Sequence, residues 1–218
     1  MKHARLTRAD KTLYTASARK AAPLSDEAID RAWATVSARE LVKGEHFLRA
    51  GDPATEVAVV ASGLLREYFD LNGGSEGTKA FIVEGEFTGS LADLISGRPS
   101  RASIVAEEPS RVLVSSFAAY RELPDASREW EGFALRSAHA LLLRKAEREY
   151  ELLGLTAEER YATFADRFPG LEARIAAKHV ASYLGITPVH LSRLRRRRRE
   201  LAKGVARGTR PRGTPRSG

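Results

Sequence analysis

Residues 177–195, AKHVASYLGITPVHLSRLR, combine residue types and spacing with a specific chemical consequence. A helix-turn-helix needs a small residue in its first helix where the second crosses it, a glycine at the sharp turn, and apolar residues pinning both helices. Ala181, Gly185 and Leu191 stand four and six residues apart and meet those demands. Val180 and Leu184 supply the buried face of the first helix, Ile186 the turn, and Leu191 with Leu194 the buried face of the second. Thr187 before Pro188 is an N-cap and first-turn pair, so a second helix is expected over 188–199 with its N-terminus toward a phosphate. Its outer face carries Val189, His190, Arg193, Arg196 and Arg197. In a major groove, Arg193 can donate two hydrogen bonds to guanine O6 and N7, worth about 1–3 kcal/mol of discrimination. Ser192, Arg196 and Arg197 suit phosphate contacts, which position a protein without reading sequence. The candidate DNA-contacting set is Thr187, Val189, His190, Ser192, Arg193, Arg196 and Arg197. The competing reading is an ordinary helical hairpin with a charged outer face.

Charge distribution bears on that choice. The chain of 218 residues has a formal net charge of +8, yet residues 190–218 alone hold eleven Lys or Arg against one acid, Glu200. The rest is close to neutral, so the basicity belongs to one end, as expected of a chain that presents its C-terminus to a polyanion. Taken alone, Arg195–Arg199 fits a solvated charge run equally well. Other chemistries find little to work with. There is no cysteine, which removes disulfides, thiolate metal sites and cysteine nucleophiles together. The histidines His3, His46, His139, His179 and His190 are scattered without ligand spacing, and neither a GxSxG nor a phosphate-binding loop is present, so neither a metal site nor an enzyme is expected. His179 and His190 are read as surface residues near the DNA face or turn, without a catalytic role. No apolar run is long enough to span a membrane and no secretory signal opens the chain, so a cytoplasmic protein without a membrane partner is expected.

Several elements must position the motif. Ala28, Ile29, Ala32, Trp33 and Val36 recur at helical spacing after Ser25, a candidate N-cap. From Glu40 to Ser116 short runs rich in Val, Ile, Phe and Leu alternate with glycine punctuation, which reads as an antiparallel roll or barrel. A helix over about 126–153 follows, apolar on more than one side: Trp130, Ala134, Ala138 and Leu141 form one stripe, which Phe133, Leu142, Ala146, Tyr150 and Leu153 extend. Either it packs on its own domain and on a second copy, giving a homodimer, or it is a single buried helix. Thr156 and Glu159 have capping-box spacing for the next helix, 157–168. The expected fold class is α+β, divided into an N-terminal segment (1–24), a roll with its leading helix (25–123), the long dimerisation helix (124–154), a helix-turn-helix domain (155–203) and a disordered basic tail rich in Gly, Pro and Arg (204–218).

In this order of elements the chain resembles the Crp/Fnr family of bacterial transcription regulators over residues 22–200. LVKGEHFLRAGDPATEVAVVASGLLREYF is similar to the family's opening strands, with Gly44, Gly51 and Gly63 at its turns. ERYATFADRFPGLEARIAAKHVASYLGITPVHLSRLRR is similar to a subgroup whose motif reads YLGITPxxLSRxR. The resemblance implies a cyclic nucleotide-binding-like roll, sequence-specific binding of double-stranded DNA by a homodimer, and RNA polymerase as a further partner. GEFTGSLADLISGRPSRASIVAEE resembles the stretch that holds the family's phosphate-binding cassette, so Gly89, Ser90, Ser100 and Arg101 are the implied effector-binding residues. Cyclic-nucleotide-binding members place a glutamate after the glycine, for the ribose, and an Arg followed by Ser or Thr, for the phosphate. Here Gly89 is followed by Ser90, and Arg101 follows Ser100 one residue out of register. A cyclic nucleotide is therefore the implied but disfavoured effector, and no resident cofactor is expected. An alternative function is a sensor of a cyclic nucleotide or other small molecule whose ligand occupies the roll and controls DNA binding. Where many members carry a recognition-helix Glu that accepts from cytosine, this chain has Val189, which suits a thymine methyl. The family's β-wing has no counterpart after Leu201, where arginines stand in its place, so steeply salt-dependent binding is expected.

Overall fold

The structure, a computed structural model, describes the backbone of residues 2–208 and the side chains of residues 4–200. The roll contains strands β1 (Lys2–Ala4), β2 (Ser37–Leu41), β3 (His46–Leu48), β4 (Glu56–Ser62), β5 (Leu65–Leu71), β6 (Ser75–Ile82), β7 (Phe87–Thr88), β8 (Ala102–Ala106) and β9 (Ser110–Ser116), with helix α3 (Leu91–Ser96) between β7 and β8. They form two antiparallel sheets, ordered β1-β2-β9-β4-β7 and β3-β8-β5-β6. Side chains alternate across a strand. Ala58 and Val60 of β4 and Val112 and Val114 of β9 therefore face Leu65, Ile82 and Ile104 of the second sheet, in one core. Val59 and Leu113 face the other way, into a second core made with helices. Burial on both faces explains why EVAVVA reads as a nearly continuous apolar run. At Gly63 a left-handed backbone (φ 92°) makes the turn into β5, and a Cβ there would stand 2.3 Å from the Ser110 hydroxyl.

The second core receives α1 (Arg8–Ala21) and α2 (Asp26–Trp33). Ser25 caps α2 through the Ala28 N–H, as the sequence suggests, whereas α1 occupies a segment to which sequence periodicity assigned no element. Thr7 and Asp10 close a capping box at its start. Asp10 also takes two hydrogen bonds from Arg111 of β9, at 2.9 and 2.8 Å, which tie the helix to the roll. The Arg111 guanidinium holds the Asp10 carboxyl at about 2, well below its ordinary 3.8.

After β9 comes α4 (Phe117–Ala126), where the sequence reading continued the roll to 123. Ser127 is extended (φ −160°, ψ 128°) and separates α4 from the long helix α5 (Arg128–Gly154), accepting from the Glu129 N–H as its N-cap. The base of α5 is fixed: Trp130 and Phe133 are both buried, the Trp130 indole donating to the Ala28 carbonyl of α2 at 3.0 Å and the Phe133 ring packing on Phe87. From Ala134 to Tyr150 no residue of α5 is buried. Its far end is fixed again through the buried Glu151, which accepts from Arg148 at 3.0 Å and from Arg167 at 2.5 Å. No helix among the described residues is long and apolar enough to cross a membrane.

Candidate nucleic-acid interface

Helix α6 (Ala157–Arg167) starts at the Thr156–Glu159 capping box, and a 3-10 turn (Leu171–Ala173) leads to α7 (Ala177–Leu184) and α8 (Pro188–Gly208). The turn between α7 and α8 follows from one glycine. Gly185 is left-handed (φ 66°), its N–H bonds back to Ser182, and the Ile186 N–H reaches the Ala181 carbonyl at 3.0 Å, so two orphan carbonyls of α7 are satisfied while the chain reverses. Thr187 then caps α8, its hydroxyl accepting from the His190 N–H at 3.1 Å. Val180, Ala181, Leu184 and Leu191 are fully buried, with Leu194 nearly so. The helix-turn-helix read from the spacing is present, and α8 runs to Gly208, past the 204 boundary set for the tail. No strand follows it among the described residues, and residues 209–218 of that tail lie outside them.

The structure brings most of the candidate DNA-contacting residues together. Thr187, Val189, His190, Arg193 and Arg197 line one shallow concavity of about 300 Å³ with Leu194 at its floor. Ser192 and Arg196 are exposed beside it. Val189 is 62% exposed, an apolar side chain standing in a polar surface. Arg193 has no ion-pair partner among the described residues, whereas Arg197 reaches Glu158 at 3.0 Å and Arg196 approaches Glu200 at 3.8 Å, both exposed pairs of little energetic weight. The run Arg195–Arg199 is not uniform. Helical periodicity turns Arg195 inward to Glu172 at 2.8 Å and sets Arg198 over the Tyr161 ring, so these two guanidinium groups also fasten α8 to its own domain.

Sequence reasoning gave no sign of how the helix-turn-helix unit sits on the roll. Phe81 of β6 packs against Phe164, Phe168 and Tyr183. β6 is an edge strand, and the Ser182 hydroxyl of α7 accepts from the Thr78 N–H at 2.9 Å while donating to the Glu76 carbonyl at 2.7 Å. A single side chain thus covers two edge groups that would otherwise lack partners. Arg174 adds ion pairs to Glu84 and Glu108, each at 2.6 Å. Contrary to the surface position expected of it, His179 is buried at this junction, 3.8 Å from Glu76 and 3.7 Å from Glu107, with Arg66 beyond. Burial, and then Arg66, hold its imidazole below the ordinary histidine range. The reason is helical period: His179 follows Lys178 on the inward side of α7. His190, by contrast, lies on the concavity.

The implied effector residues lie together at the other end of the roll. Gly89, at φ 141°, passes so close to β4 that a Cβ would stand 3.1 Å from the Glu56 carbonyl. Ser90 is buried and its hydroxyl donates to Asp93 at 2.7 Å. Arg101 donates to the same carboxylate from its backbone N–H and from Nε, both at 3.1 Å. Ser100 is also occupied: its N–H donates to the Asp52 carbonyl, its carbonyl accepts from Gly51, and its hydroxyl bonds to both backbone groups of Ala102. The residues present do not fit a cyclic nucleotide. No carboxylate follows Gly89 for a ribose, and the donors that would meet a phosphate already hold Asp93.

Residues 38–126 match the model of the cyclic nucleotide-binding domain family. Curated protein sequences contain no match to the chain. Among solved structures, the catabolite activator protein of Thermus thermophilus is 27% identical, with 88% of each chain covered and a TM-score of 0.52. FixK2 of Bradyrhizobium japonicum is 21% identical over 83% of this chain and 90% of its own, with a TM-score of 0.65. The c-di-GMP responsive global regulator CLP of Xanthomonas campestris is 19% identical over 87% and 96%, with a TM-score of 0.62, and these last two show the fold alone. Residues 38–126 thus carry the likeness to the cyclic nucleotide-binding domain family, and the chain as a whole is similar to a catabolite activator protein in its order of roll, long helix and helix-turn-helix.

Proposed function

We propose that the protein is a cytoplasmic, sequence-specific DNA-binding transcription regulator that acts as a homodimer on a near-palindromic operator. The observation that carries this reading is the outer face of α8. Five of the seven candidate contacts share one concavity, and one of its two arginines, Arg193, has no ion-pair partner among the described residues. A guanidinium left without a carboxylate on a folded surface suits the paired acceptors of guanine. Val189 beside it suits a thymine methyl, while Arg196 and Arg197 hold pairs weak enough to exchange for phosphates. Capped by Thr187, the N-terminus of α8 directs its free N–H groups the same way.

The dimer in this reading rests on α5. Leu135, Leu142 and Leu153 are exposed, and with Ala146 they recur at spacings of seven, four and seven residues, the repeat by which two helices seam together. Between Ala134 and Tyr150 no residue of the helix is buried by its own chain. Two recognition helices held by such a seam would meet half-sites about one helical turn, roughly 34 Å, apart. The partners are then double-stranded DNA, a second copy of the chain and RNA polymerase, through which bound DNA would affect transcription. The protein has no enzymatic role in this reading.

Selection of bound duplexes from a random pool tests this directly. The expected product is a two-fold symmetric consensus with half-site centres about one turn apart. A pool that stays random after repeated selection would overturn sequence-specific binding, and a single unpaired half-site would overturn the dimeric mode.

A further inference from the structure

We propose that the roll contains a receptor for an anionic group which the chain fills with its own Asp93 carboxylate, leaving the domain closed to cyclic nucleotides. Three donors converge on that carboxylate: the Ser90 hydroxyl at 2.7 Å, and the Arg101 N–H and Nε at 3.1 Å. A hydroxyl, a backbone amide and a guanidinium around one buried anion are the set that would bind a phosphate monoanion. Here the anion is covalently part of the wall. Asp93 is only 3% exposed, and these contacts hold its carboxyl below the ordinary aspartate range, Ser90 contributing most.

Two consequences follow for any incoming phosphate. It competes with an occupant tethered in place, whose effective concentration exceeds that of any free ligand in the cell. It also leaves Asp93 buried without donors and faces its charge at close range, a costly arrangement. Nor can the cassette readily shift register to offer a different donor, because Ser100 is bonded through N–H, carbonyl and hydroxyl alike. Arg101 keeps 68% of its side chain exposed, so its outer edge is open to solvent while its inner edge is taken. The proposal concerns the roll alone. It stands or falls independently of DNA binding, and the two failures are read in different assays.

Calorimetry on the full chain with cyclic AMP, cyclic GMP and inorganic phosphate tests it. The wild type should show no saturable heat up to about 1 mM ligand, and Asp93→Ala should gain affinity for at least one of the three by about tenfold or more, the scale of one charge-assisted hydrogen bond. Asp93→Ala/Arg101→Ala should lose that gain. Circular dichroism confirms folding, and should Asp93→Ala fail to fold, the isosteric and uncharged Asp93→Asn carries the same expectation. Saturable binding by the wild type that weakens in Asp93→Ala would overturn the proposal, because Asp93 would then be positioning Arg101 for a ligand. A folded variant with no gain for any of the three would overturn it too.

Discussion

Arg101 in the roll and Arg193 on α8 are both well-exposed arginines in a place where the fold allows a ligand, yet the chain treats them oppositely. Arg101 is bonded inward to a buried carboxylate, and its neighbours Ser90 and Ser100 are likewise satisfied by the chain itself. Arg193 has no ionic partner among the described residues and stands in a concavity lined by Thr187, Val189, His190 and Arg197. Hydrogen-bonding capacity met within the fold contributes to stability, whereas capacity left open in a preformed surface is available for binding. In the proposed reading, the difference assigns DNA binding to α8 and a structural role to the roll's closed cassette. It also yields a rule to test: substitutions at internally satisfied groups should change stability and spare DNA affinity, and substitutions on α8 should do the reverse.

The proposed dimer seam on α5 is expected to give the largest effect. Leu142 is 66% exposed, so Leu142→Asp should leave monomer stability nearly unchanged while converting the dimer to a monomer. Affinity for a two-half-site duplex should then fall about a hundredfold, the size of effect lost when two sites are no longer joined. Light scattering and fluorescence anisotropy read the two changes, and a dimer that persists places the seam elsewhere.

Next in size is Asp10, whose folded value of about 2 lies below the ordinary 3.8 because Arg111 donates to it. A depressed carboxylate stabilises the fold fully above about pH 5, and that contribution drains away as pH falls through 3.8 toward 2. Asp10→Asn should cost about 2 kcal/mol at neutral pH and flatten the acid limb of the stability curve, with DNA affinity unchanged. Urea unfolding across pH checks this. A large loss of DNA affinity in that variant would break the division between the two regions.

The smallest of these effects belongs to Arg197. Its pair with Glu158 is exposed and adds little to stability. Arg197→Ala should weaken binding to specific and random duplexes alike and reduce the slope of log affinity against log salt by about one. A loss confined to the specific duplex would recast Arg197 as a base-reading residue.

What could be read in the sequence was local. Ala181, Gly185, Thr187 and Leu191 lie within eleven residues, and each makes its demand on a neighbour in the same turn, so spacing alone revealed the helix-turn-helix and its outer face. The Ser25 and Thr156 caps were legible for the same reason. Helix α1 left a signal, the Thr7–Asp10 capping pair, but few large apolar residues mark its buried side, which is completed by β9 about a hundred residues later. α4 was hidden by Pro124, which reads as a boundary and instead lies inside the helix. The burial of His179, the Ser182 clip, the inward turn of Arg195 and the seat of Arg198 over Tyr161 all depend on which face of a helix meets a distant element. No periodicity specifies that. Asp93 passed as one acid among many, because its role depends on Ser90 and Arg101 converging from either side of α3.

The central claim is that α8 reads DNA sequence through Arg193. It is tested most directly by measuring Arg193→Ala and the wild type, at one fixed salt concentration, on the selected duplex and on a scrambled duplex of equal length. The expected result is a loss of about ten- to a hundredfold on the selected duplex with little change on the scrambled one, so that discrimination collapses while the protein stays folded and dimeric. An equal loss on both duplexes would contradict the claim and reduce Arg193 to a phosphate contact.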